Sequence, residues 1–250
     1  MDLLTFIGGC GRVGTTTAVA LLARAFAARG QRVAALDGDF PTGNLTALLG
    51  LEPAPSLADV IGGRCTLPEA LRMTADGVHA VAAGRAPVHA GALTVDERLR
   101  IVEQIEEIAS AFDCLLVDAG SGATPNALFF AGATQQIVFV STPDADVRDK
   151  ATVTLTEVGA KRPKASVHIL INHSRTACDS REAFAELVRF TDPTLSTELH
   201  YCGALPWIDG ASGRRALVDA AALPSVVGAL SAALLRPSAG ADGTPCLAAR

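Results

Sequence analysis

A turn rich in glycine and threonine constrains this chain more than any other stretch. Residues 6–17 read Phe6-Ile7-Gly8-Gly9-Cys10-Gly11-Arg12-Val13-Gly14-Thr15-Thr16-Thr17. A short apolar run, 3–7, leads into the turn, and an alanine- and leucine-rich run of helical character, 18–28, leads out. Strand, glycine-rich turn and helix start together form the layout of a phosphate-binding loop. Glycine lets the backbone curl until successive N–H groups converge on one anion. The general spacing is G-x-x-x-x-G-K-[ST], with lysine for the β- and γ-phosphates and a hydroxyl for Mg²⁺. Counted from Gly9, Gly14 and Thr16 meet that spacing, and Thr15 stands where lysine is expected. Gly9, Gly11, Arg12, Val13, Gly14, Thr15, Thr16 and Thr17 are therefore the expected nucleotide-binding residues, with Thr16 also a Mg²⁺ ligand.

Downstream, apolar runs alternate with helix signals. Residues 32–36 read as a second strand and run into Asp37-Gly38-Asp39 and then Asn44-Leu45. A carboxylate at a strand end beside a phosphate loop positions Mg²⁺ or an attacking water; the alternative is a polar loop with an Asx turn. Ser56 with Asp59, Thr66 with Glu69 and Thr94 with Glu97 are helix-start signatures. The helix after Thr94 is expected to bury Val95, Leu99, Val102, Ile105, Ala109 and Phe112 on one face. Cys114-Leu115-Leu116-Val117-Asp118 reads as a buried strand ending in an acid, the pattern of a Mg²⁺-organising aspartate. Residues 136–140, 167–171 and 199–205 read as further strands, and a helix is expected over 179–190. This alternation predicts an α/β fold of three layers, a mostly parallel twisted sheet with helices on both faces. Ligands in such folds sit at the carboxyl ends of the strands, so the loop, Asp37, Asp39, Asp118 and Asn172 should share one rim.

The motifs resemble the MinD/ParA family of deviant Walker-A ATPases, across about residues 3–235. The family loop K-G-G-V-G-K-T aligns with Cys10-Gly11-Arg12-Val13-Gly14-Thr15-Thr16, so both family lysines are absent, at Cys10 and Thr15. Asp37-x-Asp39-x-x-x-x-Asn44-Leu45 is similar to the family stretch after strand two. Asp118 through Pro125-Asn126 and Phe129-Phe130 resembles the second switch loop of the family's flagellar branch, the FlhG (FleN) regulators of flagellar number and placement. Val147-Arg148-Asp149 is similar in the same way. The resemblance implies ATP or ADP with Mg²⁺ held by Thr16, Asp37 and Asp118, and catalysis through Asp39. It also implies that Asn172 and Pro206 lie at the base and that the chain forms a homodimer engaging flagellar assembly or regulatory proteins. With Thr15 neutral, hydrolysis should be weak or lost, since removing one preorganised donor costs roughly 10²–10³ in rate. Arg12 either supplies charge in place of lysine or points to solvent. The loop also resembles the G-G-V-G-T-T turn of the cellulose-synthesis accessory group BcsQ, which leaves a non-hydrolysing scaffold as the alternative. Trp207 is expected to cover the core edge, the alternative being stacking on a base.

The 250 residues, 49% hydrophobic, fit one phosphate-loop domain over 1–236, followed by a disordered tail over 237–250 rich in Ala, Gly and Pro. A formal charge of −5 with no basic cluster predicts no nucleic-acid partner. The helical run 214–235 carries few basic residues, so it is expected to join the core rather than bind a membrane. Cys10, Cys65, Cys114, Cys178, Cys202 and Cys246 form no C-x-x-C pair and are expected as reduced thiols in a cytoplasmic protein. No run of about 18 strongly apolar residues and no signal-peptide pattern is expected.

Overall fold

A computed structural model describes residues 1–250 apart from 53–54, 85–91, 135, 164, 192–196, 208–225 and 230–250. The tail expected over 237–250 and most of the helix expected over 214–235 fall outside the described residues. In chain order the elements are β1 (Asp2–Gly8), α1 (Thr15–Ala27), β2 (Val33–Asp37), α2 (Leu45–Leu48), α3 (Leu57–Ile61), α4 (Leu67–Ala70), β3 (Arg72–Met73) and β4 (Val78–Val81). They continue with α5 (Val95–Ile108), β5 (Cys114–Ser121), α6 (Pro125–Ala133), β6 (Gln136–Ser141), α7 (Ala145–Lys161), β7 (Ser166–Ser174), α8 (Ala177–Phe190) and β8 (Glu198–Pro206).

The strands form one sheet in the order β3-β4-β2-β5-β1-β6-β7-β8, and only β3 runs antiparallel to its neighbour. β1 lies inside the sheet, between β5 and β6. Its residues Leu4, Phe6 and Ile7 are fully buried, as a parallel strand covered on both faces requires. Thr5 is the polar exception, and its hydroxyl donates to the carbonyl of Phe130 at 3.3 Å. Alternate residues of each strand face opposite layers. Ile7, Leu36, Leu115 and Phe139 pack with residues of α3 to α8 on one face. Leu4, Phe6, Leu116 and Val138 pack with α1 and α2 on the other. Val226 and Val227, in a helical turn over 226–229, join this second layer fully buried. The five described cysteines are all free thiols. No helix among the described residues is long and apolar enough to cross a membrane.

The capping boxes at Ser56, Thr66 and Thr94 form as their spacing predicts. The face that α5 buries differs from expectation. Val95 and Leu99 are 70% and 51% exposed, while Ile101, Ile108 and Phe112 are buried, with Ile105 packed beside them. Ile105 and Phe112 of the expected face are thus retained, and the rotation exchanges Val95 and Leu99 for Ile101 and Ile108, which removes more apolar area from water. Neighbouring groups hold that rotation. Asn126 accepts from the Leu93 N–H at 2.9 Å, Gln104 accepts from the Leu67 N–H at 2.6 Å, and Arg100 donates to the Ile61 carbonyl. In urea denaturation Ile101→Ala should cost about 2–4 kcal/mol. Leu99→Gln should change stability by less than about 0.5 kcal/mol; equal losses would restore the other stripe as the core face.

Candidate nucleotide site

The glycine turn lies at the carboxyl edge of the sheet, where β1 passes into α1, and neighbouring strands hold it by the backbone. The Gly9 N–H donates to Val140 of β6 at 2.8 Å, and the Gly122 N–H, just past β5, donates to Gly8 at 2.8 Å. α7 presses on the turn from one face. A Cβ added to Gly9 would stand 2.5 Å from the Ala151 methyl, so no other residue fits there. Thr154 of α7 donates its hydroxyl to the Gly9 carbonyl at 2.9 Å. Gly14 caps α1 with φ 83°, a conformation open to glycine at little cost. Asn172 of β7 donates Nδ2 to the Val13 carbonyl at 2.8 Å and braces the turn from beneath.

Three loop positions depart from a usual phosphate loop. Arg12 is exposed and has φ 67°, left-handed for a residue with a Cβ, a strain of about 1–3 kcal/mol. Thr15 is only 6% exposed. Its hydroxyl lies on the Gly8 side, 2.4 Å from where a Gly8 Cβ would be, packed at the base of the turn. The Cys10 thiol is half-buried, and burial raises its pKa above the ordinary 9.0, so it is neutral near pH 7. Thr16 and Thr17 are half-buried at the start of α1.

The acids converge beside this turn. Asp118 pairs in register with Phe6 on one side and with Asp37 on the other. It is fully buried; Oδ1 accepts from the Gly120 N–H at 3.0 Å, while Oδ2 has no hydrogen-bond partner. Burial pushes its pKa up to about 6, against the opposing pull of the Thr16 hydroxyl and the Gly120 N–H. Asp37 is also buried and is pushed up to about 7, chiefly by burial and then by Asp118. Its carboxylate accepts from the N–H groups of Leu45 at 3.0 Å and Asp39 at 3.2 Å, which orders the segment after β2. Asp39 is half-buried, accepts from the Thr42 hydroxyl at 2.5 Å, and packs on the backbone at Gly120.

An unpaired buried carboxylate oxygen, a second buried carboxyl and a nearby hydroxyl are hard oxygen donors. They fit Mg²⁺, which is commonly held by one or two carboxylates together with phosphate oxygens and water. Thr16, Asp37 and Asp118 would be the residues to hold it, and such an ion would relieve the mutual repulsion of the acids. Among the described residues no group of three His, Cys, Asp or Glu is arranged to hold an ion alone.

On the opposite flank, Asn172 lies within β7 rather than at its end, because the strand continues to Ser174. Pro206 of β8 pairs with Ser174. Trp207 does not cover the core edge as expected: it is 49% exposed and meets the His173 ring edge-on at 4.9 Å. The backbone explains this, since the Trp207 N–H is tied to the Ser174 carbonyl at 2.9 Å, along the sheet rim. His173 itself has φ 56° and its pKa is lowered by burial. Sequence reasoning missed His173, Ala151 and Thr154 as parts of this site. His173 directly follows Asn172, a signal that could have found it; Ala151 and Thr154 sit in an ordinary helix and carry none.

Comparison with known proteins places this geometry in context. The CobQ/CobB/MinD/ParA nucleotide binding domain matches residues 4–205. The Antiactivator FleN of Pseudomonas aeruginosa is 30% identical over 207 residues, covering 83% of this chain and 74% of that protein. The Flagellum site-determining protein YlxH of Helicobacter pylori is 23% identical over 81% of this chain and 68% of its own length. The septum site-determining protein MinD of Pyrococcus horikoshii, solved with Mg-ADP, superposes with a TM-score of 0.67 at 18% identity, covering 92% of this chain and 95% of that one.

The carboxyl pair makes a pH prediction. Both groups titrate above the ordinary 3.8, so between about pH 4 and pH 7 the folded chain holds protons that the unfolded chain has released. Stability from this pair is therefore fully present below that window and is lost as pH rises through it. Asp59 and Asp113, held down to about 2 by hydrogen bonds, act at lower pH. The melting temperature without ligand should fall from pH 5 to pH 8, and Asp37→Asn should flatten the fall. Mg²⁺ affinity in the presence of ADP should rise over the same interval; a pH-independent affinity would remove these acids from the metal site.

Proposed function

The chain belongs to the CobQ/CobB/MinD/ParA nucleotide-binding family, and from that membership we propose that it is a nucleotide-switched regulator of flagellar number or placement. In this reading it binds ATP or ADP with Mg²⁺ and turns ATP over slowly or not at all. The observation that carries the reading is the buried, unpaired Oδ2 of Asp118 beside Asp37 and Thr16 at the mouth of a phosphate-type turn. The backbone N–H groups of residues 10–17 hold the phosphates, that of Gly9 being bonded to Val140. Thr16, Asp37 and Asp118 would hold Mg²⁺, whose positive charge would offset the negative charge of the phosphates. Asp39, ordered by Thr42 and by Gly120, orients the attacking water. Asn172 both braces the turn and, with Pro206, borders the base.

Slow turnover follows from the two neutral positions. A lysine in such a turn follows charge into the transition state. The Thr15 hydroxyl is packed at the base of the turn, and the Cys10 thiol is neutral. The flagellar role draws on the likeness to FleN and YlxH. The proposed active form is a homodimer whose partners are flagellar assembly or regulatory proteins, acting in the cytoplasm without nucleic acid or membrane.

Isothermal titration of the wild-type chain should show ATP and ADP binding that weakens at least about tenfold when Mg²⁺ is chelated, since the metal offsets several phosphate charges. Thr15→Lys combined with Cys10→Lys should raise ATP turnover by roughly 10²-fold, and adding Asp39→Ala should abolish the gain. Fast wild-type hydrolysis abolished by Asp39→Ala alone would overturn slow turnover. Deleting the gene in its source cell should change the number or position of filaments seen by electron microscopy. Unchanged filaments with intact nucleotide binding would remove the flagellar role and favour a scaffold of another pathway.

A further inference from the structure

Resting on the nucleotide reading above, we propose that the positive charge a phosphate loop ordinarily carries within its turn is supplied here from the outer mouth, by Arg12 and by Lys150 of α7. The interior of the turn has no cation. From Gly8 to Thr17 the only permanently charged side chain is Arg12. The position where the general pattern places lysine holds a threonine packed against Gly8. A di- or triphosphate in this turn would meet N–H dipoles, Mg²⁺ and whatever cations stand at its rim.

Two stand there. Arg12 is exposed, and among the described residues no hydrogen bond or ion pair engages its guanidinium. Its left-handed backbone would be unstrained with glycine, and strain of this kind collects where a side chain has work at a ligand. Lys150 is carried beside the turn by α7, which is clamped on it. Ala151, its neighbour, touches Gly9, and Thr154, one turn on, donates to the Gly9 carbonyl. Lys150 is exposed and close enough to Cys10 for its charge to favour the thiolate; Asp146 on the same side opposes it more weakly. The other cation at the start of α7, Arg148, is occupied by Glu186 at 2.6 Å and Asp149 at 3.3 Å.

This relocation has a kinetic consequence. Cations at the mouth neutralise phosphate charge in the bound ground state as well as in the transition state, and uniform binding of that kind does not accelerate chemistry. The chain would bind nucleotide with an affinity its turn alone would not give, without gaining turnover.

Arg12→Gly removes the charge and relieves the backbone, so its melting temperature without nucleotide should equal or exceed the wild type. Its affinity for Mg–ATP should nevertheless fall about tenfold, as should that of Lys150→Ala, with about a hundredfold loss in the double variant if the two act independently. Arg12→Lys should retain most of the affinity. Raising the salt concentration should weaken Mg–ATP binding to the wild type more than to the double variant. Wild-type binding with undiminished affinity in the double variant would overturn the relocation and leave the nucleotide reading intact. A wild-type chain that binds neither Mg–ATP nor Mg–ADP would overturn both.

Discussion

The packing of α7 and β7 against the glycine turn is the constraint on which the site depends. A curl of backbone N–H groups is entropically costly and has no side chains of its own to hold it. Here it is held from outside. Ala151 leaves room only for hydrogen at Gly9, Thr154 binds the Gly9 carbonyl, and Asn172 binds the Val13 carbonyl. β1, fully buried between β5 and β6, delivers the chain to this point with little freedom. The turn is thereby shaped before any anion arrives, and binding need not be offset by ordering it.

The same sheet places two carboxyl groups where water is scarce. Asp37 and Asp118 face each other across β2 and β5, and both are pushed well above their ordinary pKa by burial. Such a pair destabilises the chain when ionised. Proteins keep groups of this kind where charge is needed, and a cation with phosphate oxygens resolves the repulsion. Asp39 lies beside them, half-buried and tied to Thr42.

Within a family of nucleotide-binding domains, this chain combines a complete acidic half of the site with an altered loop half. The loop retains its shape, since its glycines at positions 9 and 14 sit where other residues would collide or strain. What it lacks is interior positive charge. Shape and metal ligands govern whether a nucleotide binds, whereas charge that follows the transition state governs how fast it is cleaved. In the proposed reading, separating the two gives a protein that holds its nucleotide and cleaves it slowly.

The sequence by itself determined the layered α/β fold, the main strands, the capping boxes and Asp37 at the end of β2; Asp118, expected to end its strand, lies inside β5, which runs on to Ser121. All of these follow from local signals: apolar runs, glycine spacing, and side chains that satisfy nearby backbone groups. It did not determine which stripe of α5 is buried, because Val95–Leu99 and Ile101–Ile108 have nearly the same period and only contacts from Asn126, Gln104 and Arg100 choose between them. Nor did it determine the burial of the Thr15 hydroxyl against Gly8, the His173–Trp207 contact, or the approach of Lys150 to the turn. Those depend on residues distant in the chain meeting at one rim, and a spacing rule reads only neighbours along the chain. Tertiary packing decided them, because the angle at which a helix meets the sheet sets which side chain stands beside which.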